Sequence, residues 1–251
     1  MTKRLSKEQA AHFAAQLRIM AGLNEREPIH IKGLLVKLGI LTRYRPLSEN
    51  AYGLSLQTPD KRFRFMLINS NSTRGRQHFT AGHELYHLYC DPEPMPHVCK
   101  KDGEKPSVER DADLFASNLL MPSQGILGEI PADELRKGIS VSTILRLEQL
   151  FSVSHEAMVY RLRALSVISE SDIERLFGLT ISDVARANGY DLSLYQKGNE
   201  NVTLGDFGSN ARKLYEMEKI SEGHYLELLN QITDEKQSPW TSSTMRSSGR
   251  R

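Results

Sequence analysis

Residues 78–89 read HFTAGHELYHLY and residues 108–122 read VERDADLFASNLLMP. The first stretch holds an HExxH motif, His83-Glu84-Leu85-Tyr86-His87. On an α-helix residues four apart share a face, so both imidazoles can reach one metal ion while Glu84 sits beside its open coordination position. The pattern from Arg74 to Tyr89 predicts that helix, with Phe79, Gly82, Tyr86 and Tyr89 along one side, and Asp91-Pro92 predicts its stop.

A catalytic zinc site takes three protein ligands and leaves a fourth position open. Glu109, at the start of the next predicted helix, is the expected third ligand for Zn2+ or another divalent transition metal. Asp113 follows one turn later, placed to accept a hydrogen bond from the far nitrogen of a ligating histidine and so fix its tautomer. Asp111 is the rival ligand, but it points about 200° around the helix from Glu109. Ala112, Phe115, Ala116 and Leu119 define a buried face beside Glu109 and Asp113, which favours Glu109. The plain alternative is a solvated helix whose carboxylates sit near an N-terminus because the macrodipole favours them there. The pairing of the two stretches argues for the metal site.

Working outward, Lys7 to Met20 and Ile31 to Leu38 carry helical periodicity, whereas GILTRYRPL from Gly39, AYGLSLQT and RFRFMLINS read as three short strands. Tyr52 to Thr58 and Phe63 to Ser70 are expected to form a hairpin, with Tyr52 to Thr58 an edge to which an extended peptide could add. Residues 91–106 are rich in proline and predict a long loop. Ser107 to Met121 is the second site helix, stopped by Pro122. Thr143 to Phe151 and His155 to Ala164, joined by Ser152-Val153-Ser154, have helix-turn-helix-like spacing. Helical signals resume at Ile181 to Asn188 and Leu204 to Leu229, and a Ser-rich basic tail follows Gln237. The fold class expected is α+β: a small antiparallel sheet packed on helices carrying HExxH, then a helix-turn-helix-like segment and a helical C-terminal region.

Composition bounds the rest. A net charge of +2 gives no broad electrostatic footprint for nucleic acid. Cys90 and Cys99 lack the spacing of a cysteine zinc site and are expected as free thiols. No apolar run is long enough to span a membrane, and the start lacks a secretory pattern, so a cytoplasmic protein with no membrane partner is expected.

HFTAGHELYHLY followed by VERDADLFASNLLMP resembles the ImmA/IrrE-type metallopeptidases, through the HExxH helix and through Glu109, Ala112, Asp113, Phe115, Ala116 and Leu119-Leu120-Met121-Pro122. The strand ending Ile68-Asn69 and the segment VSTILRLEQLFSVSHEAMVYRLRAL fit the same pattern, so the resemblance covers about residues 30–168. It implies a gluzincin-like core with His83, His87 and Glu109 as ligands and Glu84 as general base. The residue before the second histidine, small in the family, is Tyr86 here, which would narrow the site. The domain division this implies is a zincin-like metallopeptidase core over 1–135, a helix-turn-helix-like segment over 136–168, a helical C-terminal region over 169–236 and a disordered tail over 237–251. The implied function is regulation of transcription by zinc-dependent, site-specific cleavage of a helix-turn-helix repressor of a phage, mobile element or stress regulon. The other class to weigh is a DNA-binding regulator or toxin-antitoxin component with a structural or vestigial metal site. Arg146, Arg161 and Arg163 support it, but Glu156 opens the second helix and opposes phosphate, so direct DNA binding is not expected. Tyr52 and Arg161 are further candidates for substrate contact, on sequence position alone.

Overall fold

The computed structural model describes residues 5–91, 99–100 and 107–232, the pair 99–100 by its backbone. Most of the expected loop after Asp91, the Cys99 side chain and the tail from 237 lie outside the described residues. In chain order the elements are α1 (Lys7–Met20), α2 (Ile31–Lys37), β1 (Leu41–Arg45), β2 (Ala51–Gln57), β3 (Arg64–Asn69), α3 (Arg74–Tyr89), β4 (Cys99–Lys100), α4 (Ser107–Leu120), α5 (Ser123–Glu129) and α6 (Glu134–Lys137). They continue with α7 (Val141–Phe151), α8 (His155–Ala164), α9 (Glu170–Phe177), α10 (Ile181–Ala187), β5 (Thr203–Leu204), α11 (Phe207–Glu216) and α12 (Glu222–Ile232). A 3-10 turn covers Ser193–Tyr195.

The α+β class holds, and the expected hairpin is present: β2 and β3 pair antiparallel from Gly53↔Ile68 to Gln57↔Arg64. The sheet is mixed rather than wholly antiparallel, because β1 runs parallel to β3, from Leu41↔Phe65 to Arg45↔Asn69. The strand order is β4-β2-β3-β1-β5. Residues 46–50 therefore arch over the end of β3 to carry the chain from β1 to β2. Asn69 holds that arch. Its Oδ1 accepts the N–H groups of Leu47 at 3.0 Å and Asn71 at 2.9 Å, while its Nδ2 donates to the carbonyls of Ser48 at 3.1 Å and Ala51 at 2.7 Å. The expected edge role of β2 needs correction: β4 pairs with Ala51 and Gly53, so the outer strand on that side is β4.

The core lies between the sheet and α3, and between α3 and α4. Met66 and Ile68 from β3 meet Ala81, Leu85 and Leu88 of α3, whose other side receives Phe115 and Leu119 of α4. Helix α1 covers α4 from outside. A capping box starts it, Ser6 Oγ accepting from the Gln9 N–H at 3.2 Å and Gln9 Oε1 accepting from the Ser6 N–H at 2.9 Å. Tyr86 is buried in this core between Phe115, with ring centroids 5.7 Å apart, and His87, whose ring it meets edge-on at 5.6 Å.

The helix-turn-helix-like pair appears as expected in α7 and α8, and its turn is packed onto α3. A Cβ at Gly75 would lie 2.7 Å from the backbone nitrogen of Ser154, and His78 Nδ1 bonds the Ser152 carbonyl at 2.8 Å. Only glycine admits so close a backbone approach. The helical signals over Leu204 to Leu229 correspond to α11 and α12, preceded by β5; Gly205, at φ +103, turns the chain out of the strand, and Glu218, at φ +55, lies in the break between the two helices. Among the described residues no helix is long and apolar enough to cross a membrane.

Candidate metal centre

Helix α3 sets His83 and His87 one turn apart with their Nε2 atoms 3.3 Å from each other. Glu109, in the first turn of α4, completes the triangle. Its Oε2 lies 3.2 Å from His83 Nε2 and its Oε1 3.4 Å from His87 Nε2. Ligand atoms about 2.05 Å from a tetrahedral ion are separated by about 3.3 Å, so these spacings fit zinc or an ion of similar size. The donor set, two imidazoles and a carboxylate buried together, suits the same ions.

The far nitrogens are held by carboxylates, which can only accept. His83 Nδ1–H donates to Asp113 Oδ1 at 2.8 Å and His87 Nδ1–H to Asp91 Oδ2 at 3.0 Å. With Nδ1–H committed in this way, each ring can present its Nε2 lone pair to an ion held beside Glu109; without an ion, Nε2 can carry a proton and donate to the Glu109 carboxylate instead. Asp113 stands where sequence reasoning expects it. Asp91 reads in the sequence only as a helix stop, although its spacing of four from His87 repeats the spacing within the motif.

Burial alone would raise the Glu109 carboxyl, but the hydrogen bonds and charges of His83 and His87 hold it far below the usual carboxylate range. For His87, burial pulls downward and the bond to Glu109 pulls upward, with a net rise. Asp111, the rival ligand, is turned away from the triangle, and its Oδ2 accepts the N–H of Leu5 at 3.1 Å.

Glu84 lies beside the triangle and is 2% exposed. Burial pushes its carboxyl up, aided by the nearby Glu109 and opposed by His83, Ser55 and His87. Ser55 Oγ on β2 donates to Glu84 Oε2 at 2.7 Å, while Oε1 has no hydrogen-bond partner among the described residues. A buried, unpartnered carboxylate oxygen costs stability unless a ligand or water uses it. Gly53 keeps the space around that oxygen open, since a Cβ there would sit 3.3 Å from Oε1 and 2.8 Å from Thr80 Cγ2. Ser55 and Gly53 escape sequence reading because nothing local marks a strand residue as a neighbour of a helix carboxylate.

A cavity of about 650 Å³ opens beside His83 between β2, α3, α4 and α8. Tyr52 lines it; its hydroxyl accepts from Arg76 Nη1 at 2.7 Å, and the Arg76 guanidinium lies over its ring at 5.1 Å. Arg161 is not brought to the site. It is 5% exposed, and burial lowers its guanidinium to about 10. Its Nε donates to the Met121 carbonyl at 2.8 Å and its Nη2 to Asn118 Oδ1 at 3.0 Å, which ties α8 to the end of α4. The expectation of a substrate contact at Arg161 is therefore corrected.

Among known proteins, the Peptidase_M78 sequence model, described as the IrrE N-terminal-like domain, matches residues 36–163, from the end of α2 through nearly all of α8. No curated protein matches the chain. A solved Mycobacterium tuberculosis transcriptional regulator resembles it with a TM-score of 0.41 at 16% identity, over 62% of this chain and 46% of that one. The match thus spans less than half the length of that structure, and a likeness at this level carries neither fold nor function across.

Proposed function

The chain belongs to the Peptidase_M78 family of IrrE N-terminal-like domains, and on that premise we propose that it is a metal-dependent endopeptidase whose cleavage of a helix-turn-helix repressor releases transcription. The observation that carries the hydrolytic reading is Glu84 Oε1, buried and without a hydrogen-bond partner among the described residues, beside three converging ligand atoms. A divalent ion such as zinc, held by His83, His87 and Glu109, would supply Lewis acidity to the scissile carbonyl and the attacking water. Glu84 takes the proton of that water at Oε1 and returns it to the leaving amine. Ser55 fixes the other oxygen, so the proton has one destination. Asp113 and Asp91 keep both imidazoles in the tautomer that presents Nε2. The repressor as substrate follows from the family resemblance of the two site stretches.

DNA readout by α7 and α8 has less support. Arg161 is buried, Arg146 pairs with Glu129 at 2.8 Å, Arg163 pairs with Glu170, and the connecting turn is seated on α3.

Replacing Glu84 with Gln preserves shape and removes the proton acceptor. Glu84→Gln should keep fold and metal content while losing about 10²- to 10⁴-fold in cleavage of any helix-turn-helix repressor that the wild type cuts. A cleavage rate near wild type would overturn the role of Glu84. Rapid, unselective degradation of casein would argue against the regulatory half of the proposal.

A further inference from the structure

The cavity beside His83 takes no part in the proton transfers proposed for Glu84. Its apolar surface comes from Phe79 on α3, Leu114 on α4, Ala157 and Tyr160 on α8, and the ring of Tyr52 on β2. Most of the charged groups in its wall already have partners. Arg76 is held by Glu156 and by the Tyr52 hydroxyl, Asp113 by His83, and Asp111 by the Leu5 N–H. Lys7 and Arg110 are exposed at the rim. Apart from those two rim cations, which water reaches, the inner wall formed by Phe79, Leu114, Ala157, Tyr160 and the Tyr52 ring offers apolar surface, which gains most from an apolar occupant. Its wall includes His83, so whatever fills it lies next to the proposed reacting bond.

We propose that this cavity is the subsite for a bulky apolar side chain, of the size of leucine, methionine or phenylalanine, at a substrate position adjoining the scissile bond, and that Ala157 and Tyr160 of α8 determine that preference. The proposal rests on the hydrolytic reading for its substrate, and it makes the helix-turn-helix-like segment part of the peptidase's specificity. Ala157 is small where α8 faces the cavity, which leaves the depth that a large side chain needs. Tyr160, exposed at the mouth and braced edge-on by Phe177 at 5.4 Å, supplies an aromatic wall. About 650 Å³ is more than one side chain requires, so flanking main chain of the peptide would enter with it.

Two measurements test this, one of them independent of hydrolysis. In the metal-free protein labelled with nitrogen-15, N-acetyl-phenylalanine amide and N-acetyl-leucine amide should bind about tenfold more tightly than N-acetyl-alanine amide, with shifts at Phe79, Leu114 and Ala157. Ala157→Trp should fill the space and weaken the two large probes about tenfold, while zinc affinity stays unchanged. If Ala157→Trp does not fold, Tyr160→Ala serves, with an expected loss of about threefold because one wall goes. In the second measurement, the zinc-loaded wild type cuts a hexapeptide library with one position beside the scissile bond enriched in large apolar residues, and Ala157→Trp shifts that position alone toward alanine and glycine. Probe binding without size preference, shifts outside the cavity, or a cleavage preference unmoved by the variants would overturn the subsite. Absence of all peptide cleavage together with size-selective probe binding would sink the hydrolytic reading and keep the apolar site.

Discussion

Two histidines in the same motif are oriented by carboxylates from different sources. Asp113 comes from the neighbouring helix α4, whereas Asp91 lies just past the end of α3 itself. Because each fixes a tautomer, losing either lets an imidazole turn or protonate at the nitrogen that should bind the ion. Asp91→Ala and Asp113→Ala should each lower zinc affinity about 10- to 100-fold, measured by competition with a chromophoric chelator. Unchanged affinity in either variant would show that its carboxylate does not orient a ligand. The contrast also shows what sequence can reveal about a site. His83, Glu84, His87, Glu109 and Asp113 are legible because helical spacing converts sequence position into direction. Asp91 obeys the same spacing but is masked by the proline after it. Ser55 and Gly53 depend on which strand lies over α3, and the pairing that decides this is not local.

The arch from β1 to β2 depends on one side chain. Asn69 bonds four backbone groups at the end of β3, and it is 3% exposed. Asn69→Ala would leave several of those groups without partners in a space too enclosed for free exchange with water. The expected cost is about 2–3 kcal/mol, read as a lower urea midpoint with unchanged slope. A loss below about 0.5 kcal/mol would mean that water replaces the amide. The hairpin of β2 and β3 and the helices α1, α2, α3, α4, α7 and α8 are readable from period and turn chemistry. The parallel pairing of β1 with β3 is not, since alternation marks a strand without naming its neighbour. For the same reason β5 is absorbed into an expected helix: a two-residue strand has no period to read.

At the scale of the whole molecule, one of the links between the helices that match the family model and the C-terminal region is a buried cluster around Glu148. Glu148 on α7, fully buried, accepts from His155 Nδ1 at 2.6 Å and from the Tyr195 hydroxyl at 2.9 Å, while His155 Nε2 faces the Leu176 carbonyl at 3.1 Å. With an acceptor at each ring nitrogen, the geometry suits the doubly protonated ring. Burial alone would lower the His155 pKa, but Glu148 and the Leu176 carbonyl raise it above the ordinary 6.5. A raised folded value means that the stabilisation is fully present below pH about 6.5 and is lost as pH rises through the folded pKa. The difference in Tm between wild type and His155→Gln should therefore be largest near pH 6 and shrink toward pH 9. A difference that grows with pH would reverse the assignment. The crossing of residues 46–50 over β3 has a consequence in time as well as in space. Synthesis delivers β1, then β2, then β3, yet β3 is the strand that belongs between the other two. Until residues 64–69 have left the ribosome, β1 and β2 lack the strand that in the finished sheet lies between them and sets them two strand spacings, about 10 Å, apart. Every newly made copy thus carries two open strands until its third arrives, and a slower turn at 58–63 would lengthen that wait even if the finished protein were just as stable.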